Sequence, residues 1–96
     1  MSLNSKQRQF LKAQAHVLKP VFMLGSDGLS EAVLKELDSS IEYHELVKIK
    51  LNSGDDRKEQ AEAAANAVKA EVVSVVGRVA VLFRQRPDDS RFILPR

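Results

Sequence analysis

Two valine-rich runs, Val72-Val73-Ser74-Val75-Val76 and Val79-Ala80-Val81-Leu82-Phe83, are separated by Gly77-Arg78 alone. β-Branched residues in such runs, joined by two residues with glycine first, predict an antiparallel hairpin with a type II′ turn. A hairpin is not stable by itself in water and needs a further strand or a helical layer to cover it. The rest of the 96-residue chain must supply that cover within one domain, because a chain of this length has room for a single hydrophobic core.

A third strand is legible at residues 45–51, where the apolar period is two. Val47, Ile49 and Leu51 fall on one side, with Leu46, Lys48 and Lys50 on the other. Residues 21–24, Val-Phe-Met-Leu, form a short apolar run stopped by Gly25 and read as a buried strand.

The intervening segments carry helical patterns. Asn4 with Gln7 predicts an N-cap, the apolar positions are Leu3, Phe10, Leu11 and Ala15 with Leu18 beyond, and Lys19-Pro20 is the stop. Ser30 caps a second helix, with Leu29 and Leu34 placed as a hydrophobic staple and Val33, Leu34, Leu37 and Ile41 as its stripe. Asn52-Ser53-Gly54 is a turn. Asp56 with Glu59 then gives a capping-box pattern for a third helix that packs through Ala61, Ala64, Ala65 and Val68.

The expected class is α/β: a compact α-β-α-β-α-β-β domain with a mixed four-stranded sheet and helices on at least one face. Residues 1–84 make up the domain. Residues 85–96, with Pro87 and Pro95, read as a tail with a short edge strand at Phe92-Ile93-Leu94.

With no cysteine in the chain, a disulfide framework, a thiolate zinc site, an iron–sulfur cluster and a cysteine nucleophile are excluded. No apolar run approaches the roughly 18 residues of a membrane span. The opening residues have no apolar core of a secretory signal, so a cytoplasmic protein without membrane association is expected. Net charge is +2, but it is unevenly spread. Lys6, Arg8, Lys12 and Lys19 stand near the start, Glu31, Glu36, Asp38 and Glu42 crowd the second helix, and Arg78, Arg84, Arg86, Arg91 and Arg96 return at the end. This fits either a basic and an acidic side or a solvated mixed surface.

Gly25-Ser26-Asp27-Gly28 lies between a strand and a helix. Two glycines three apart permit a sharp turn and close backbone approach, and the helix start beyond offers free N–H groups to a phosphate. The segment is neither a P-loop nor a dinucleotide fingerprint, and taken alone such a glycine pair more often marks a plain turn. Asp27 would repel an incoming phosphate unless it turns away to cap the helix.

His16 and His44, the only histidines, lack an acidic cluster for a metal and a serine in an elbow pattern. They read as structural or RNA-contacting rather than catalytic. Lys48 and Lys50 share a strand face at a spacing that suits two phosphates or simply water. Arg78 marks the hairpin tip, and Arg84 leaves the last strand.

Taken in order, Leu11-Lys12, Ala15-His16, Leu18-Lys19-Pro20-Val21, Gly25-x-x-Gly28-Leu29-Ser30, His44-Glu45-Leu46-Val47-Lys48-Ile49-Lys50, Gly77 and Val81-Leu82-Phe83-Arg84 resemble the CRM (chloroplast RNA splicing and ribosome maturation) domain. The likeness, over residues 3–84, is to its single-domain, YhbY-like bacterial form. It implies a fold similar to the C-terminal domain of translation initiation factor three. It also implies a non-enzymatic RNA-binding protein that associates with structured rRNA in precursors of the large ribosomal subunit during ribosome biogenesis; a monomer is expected. No cofactor, metal or small-molecule substrate is expected.

The family's glycine loop falls on Gly25, Ser26, Asp27 and Gly28. Its basic and histidine positions fall on Lys12, His16, Lys19, Lys48, Lys50 and Arg84, with Arg78 added from its place at the hairpin tip. Lys69 stands where relatives often carry a helix-ending glycine. The alternative is a protein-interaction module of the ribosome or translation machinery, which the modest net charge and acidic second helix favour. An enzyme using His16 or His44 ranks last.

Overall fold

Asn4 opens the first helix with a complete capping box: its Oδ1 accepts from the Gln7 amide at 2.8 Å, and Gln7 Oε1 accepts from the Asn4 amide at 3.0 Å. In this computed structural model, which describes residues 3–24, 29–52 and 56–96, helix α1 spans Ser5–Ala15 with His16 as its C-cap. It therefore ends before the Lys19-Pro20 stop is reached. Helix α2, Glu31–His44, starts as expected, with Ser30 Oγ accepting from the Val33 amide at 3.2 Å.

Helix α3, Arg57–Ala67, departs from its expected start. Asp56 caps no amide. Its Oδ1 accepts from Gln60 Nε2 at 2.8 Å, and Gln60 Oε1 accepts from the Asn52 amide at 3.0 Å. The local carboxylate has been drawn into a side-chain link one helical turn on, so Glu59 has no reciprocal partner there. The glycine loop at 25–28, and Ser53-Gly54 of the predicted turn, lie outside the described residues.

Strands β2 (Leu46–Lys50), β3 (Glu71–Val76) and β4 (Val79–Phe83) form an antiparallel sheet with β4 in the middle. Strand β1, only Phe22–Met23, pairs in parallel with β2 on its other side, giving the order β1-β2-β4-β3. The sheet is thus three full strands with a two-residue parallel fringe rather than four comparable strands. The buried strand expected at 21–24 is an edge segment instead. Val21 and Met23 are 38% and 59% exposed while Leu24 reaches the core, and β1 has a partner on one side alone.

At the β3–β4 turn Gly77 takes φ +59° and Arg78 stays out of the left-handed region, the combination a type II′ turn requires. A bulge between Val72 and Ser74 lets Val73 pack below the sheet while Ser74 still pairs with Val81.

The alternation read at 45–51 sorts the two cores. Val47, Ile49 and Leu51, with Ala80 and Leu82 of β4, meet Leu37 and Ile41 of α2 and the alanines and Val68 of α3. On the opposite face Leu46, Val81, Phe83 and Val73 meet Leu3, Leu11 and Ala15. Each large aliphatic side chain removed from water here contributes roughly 1.5–3 kcal/mol. The sheet is therefore covered on both faces, by α2 and α3 on one and by α1 on the other.

Residues 92–94 form no strand. Phe92 and Leu94 pack instead against the α1-side core, Phe92 edge-on to Phe83 with ring centroids 5.6 Å apart. The tail is therefore part of the second core. Among the described residues no helix is long and apolar enough to cross a membrane.

Candidate nucleic-acid interface

Helix α1 is eleven residues long and carries Lys6, Arg8 and Lys12 with no acid. Its contacts with the sheet run through Leu11 and Ala15 toward Leu46, Val81 and Val73, leaving the other end of that face uncovered. Register defines what lies there. Met23, Lys50, Val79 and Val76 form one row across β1, β2, β4 and β3, and Lys48, Val81 and Ser74 form the row beside it. Both rows face the α1 side, since side chains alternate along each strand.

Between α1 and these rows lies a groove of about 310 Å³. Lys12, His16 and Lys48 contribute its polar wall, and Ala15, Val76, Val79 and Val81 its apolar floor, with Ser74 between. No carboxylate is among these lining residues. Lys12 and His16 are exposed, four residues apart and therefore on one side of the helix end. Lys48 is half-buried, and its ammonium donates to the Leu18 carbonyl oxygen at 3.0 Å. That bond fixes the position of the charge and uses one of three donors.

The other positions singled out from the sequence divide into near and far. Lys50 is exposed next to Lys48 on the same face, and Lys19 follows the residue that holds Lys48. Arg78 is exposed at the turn beside Val79. Its Nε donates to the Leu51 carbonyl at 3.2 Å, and its own carbonyl accepts from the Leu51 amide. Gly25, Ser26, Asp27 and Gly28 lie outside the described residues; the chain reaches them from Leu24, whose amide donates to Lys50 oxygen at 2.9 Å.

Arg84 lies at the far end of β4. Its guanidinium binds Asp38 Oδ1 at 2.8 Å, Glu42 Oε2 at 3.1 Å and the Val68 carbonyl at 2.7 Å. It joins α2 to the end of α3 and takes no part in the groove. These pairs also neutralise two of the acids on α2, which lies across the sheet from α1.

The groove floor was not visible in the sequence. Val79 and Val81 alternate with Ala80 and Leu82, so both faces of β4 are apolar and the pattern does not say which stays open. Among the described residues no group of three or more His, Cys, Asp or Glu is placed to hold an ion.

Comparison with known proteins places this geometry among relatives. The model of the CRS1 / YhbY (CRM) domain matches residues 3–84. A Haemophilus influenzae protein named an RNA-binding protein is 40% identical over 97 residues, spanning 99% of this chain and 97% of its own length. A probable RNA-binding protein of Methanocaldococcus jannaschii is 41% identical over 95 residues, 95% of this chain and 70% of its own. The solution structure of a hypothetical protein from Staphylococcus aureus superposes with a TM-score of 0.85 at 34% identity, covering 98% of this chain and all of that one.

Proposed function

Because the chain belongs to the CRS1 / YhbY (CRM) domain family, an RNA-binding rather than an enzyme family, we propose that it binds structured RNA through the open end of its α1-side sheet face. The observation that carries this reading is the convergence of Lys12, His16 and Lys48 on one groove without a carboxylate in its lining. Lys50, Lys19 and Arg78 extend the positive surface around it. Phosphate contacts of this kind set affinity and make it salt-dependent. Gly25–Gly28, which follow β1 in sequence, complete the surface in this proposal. Arg84 does not belong to it, since its guanidinium is committed to Asp38, Glu42 and Val68.

The partner we propose is rRNA in cytoplasmic precursors of the large ribosomal subunit, with the protein acting as a monomer that performs no chemistry on its ligand. Sedimentation of purified protein with ribosomal particles tests this. Co-migration with precursor large subunits at low salt, lost at moderate salt and lost at low salt in Lys12→Glu/Lys50→Glu, is expected. Both lysines are exposed, so the variant should keep its fold. Undiminished co-migration of the folded variant would refute this surface.

A second reading, a protein-docking module, draws on Val17, Leu18 and Val21, which are 83%, 36% and 38% exposed beside His16. Binding to ribosomal particles that survives both high salt and nuclease would favour it.

A further inference from the structure

The groove is not built for phosphate alone. Lys12 and His16 stand at the end of α1 and Lys48 reaches from β2 to the Leu18 carbonyl, while Val76, Val79 and Val81 form a floor on the sheet, and Val76 is 60% exposed to water in the free protein. Phosphates gain nothing from an aliphatic floor. Paired RNA presents sugars and phosphates outward and keeps its base faces stacked inside, so a regular duplex would leave this floor wet.

An unpaired base offers both properties at once, a flat apolar face to lie on the valines and a polar edge for hydrogen bonding. Its own phosphate remains attached at the rim, within the zone held by Lys12 and Lys48. Ser74, an uncharged hydroxyl in the lining, can donate to or accept from a base edge. The volume, about 310 Å³, lies at the small end of ligand pockets, which suits one nucleotide rather than a run of them.

We infer that the groove between α1 and the sheet receives a single unpaired nucleotide of the RNA, its base on Val76 and Val79 and its phosphate against Lys12 and Lys48. This rests on the RNA-binding reading above and adds a preference for bulged or looped RNA over uninterrupted duplex.

The test uses two rRNA-derived hairpins that differ only in one bulged nucleotide, carried as 2-aminopurine, with the full chain. The bulged hairpin is expected to bind roughly tenfold more tightly, with a change in 2-aminopurine emission on binding. Val79→Trp, which fills the floor at a half-exposed site, is expected to reduce that preference to near unity. A second measurement does not depend on that variant folding. A 4-thiouridine at the bulge of wild-type complexes should crosslink to the peptide holding Val76 and Val79.

Equal affinity for the two hairpins, or crosslinks confined to other peptides, would overturn the nucleotide site and leave the electrostatic surface standing. Failure of the wild-type chain to bind either hairpin or ribosomal particles at low salt would overturn both.

Discussion

The carboxylate of Glu45 accepts a hydrogen bond from the backbone amide of Arg91 at 2.6 Å, across 46 positions of sequence. The same fully buried side chain accepts from the Arg86 amide at 2.8 Å and the Ser90 hydroxyl at 2.7 Å, and it lies 3.7 Å from the Arg86 guanidinium. Glu45 also holds φ +65° at the end of α2, a strained geometry for a side chain of this size. One residue therefore ends a helix and ties residues 86–91 to the domain, delivering Phe92 to Phe83.

Burial pushes the Glu45 carboxyl up, but the amide of Arg91, the hydroxyl of Ser90 and the amide and charge of Arg86 outweigh it, so it is held below its ordinary value of 4.5. The unfolded chain thus takes up this proton more readily than the folded one. The stabilisation is complete above about pH 4.5 and disappears as pH falls through the lower folded value. Glu45→Gln should cost about 2 kcal/mol at neutral pH and flatten the acid limb of stability. Urea titrations at pH 7 and pH 3 would show this, and a parallel loss of both proteins' stability in acid would contradict it.

How much of this was legible in advance depends on whether the determinants are local. The Asn4-Gln7 and Ser30 caps, the Gly77 turn and the Val47-Ile49-Leu51 alternation depend on neighbours in sequence, and all four stand as read. Lys12, His16 and Lys48 could be named but not assembled, because α1 and β2 meet only through packing. Glu45 and Arg84 were hidden for the opposite reason. A glutamate before a strand and an arginine after one look like surface charges, and only distant residues, Arg91 for one and Asp38 for the other, show them to be internal ties. The place of the tail is hidden for the same cause: its prolines exclude a central strand, yet nothing nearby reveals that Phe92 has a place beside Phe83.

Arg84→Ala should reduce stability and spare RNA binding. Its two carboxylate partners are more than half exposed, so each pair is worth little, and the bond to the Val68 carbonyl matters more. A total cost of about 1–2 kcal/mol is expected. Affinity for rRNA hairpins should stay within about twofold of wild type, a change too small to register as a lost contact. A tenfold loss would return Arg84 to the interface.

Salt dependence counts phosphates. Lys12→Gln with Lys50→Gln should flatten the plot of log affinity against log salt by roughly 1.4–1.8, the effect of two lost phosphate contacts. The same pair of changes at α3 and just beyond its end, Lys58→Gln with Lys69→Gln, should leave the slope as it is. Filter binding across a salt series distinguishes the two, and equal slopes in all three proteins would place the RNA elsewhere.

Lys69 follows α3 at φ +57°, where a residue with a side chain is strained by roughly 1–2 kcal/mol. Glycine removes that strain but returns about 0.5–1 kcal/mol in unfolded-chain entropy. Lys69→Gly should therefore be neutral or stabilising by up to about 1.5 kcal/mol, read as a higher urea midpoint with an unchanged slope. Lys69→Val should be clearly destabilising at the same site.

The tail makes the sharpest stability prediction. Phe92 is half-buried and stacks edge-on against Phe83, beside Leu94 and the start of α1. Phe92→Ala should cost about 2 kcal/mol and lower the melting temperature by roughly 10 °C. A chain cut after Arg84 should lose more, since Glu45 would keep its burial cost without its amide, hydroxyl and guanidinium partners. Restoring residues 85–96 as a covalent extension should recover the loss, whereas a free peptide of that sequence would have to overcome its own ordering entropy. If the cut chain melted with the intact protein, the domain would end at residue 84 as its sequence suggests, and the contacts of Glu45 with the tail would carry no stability.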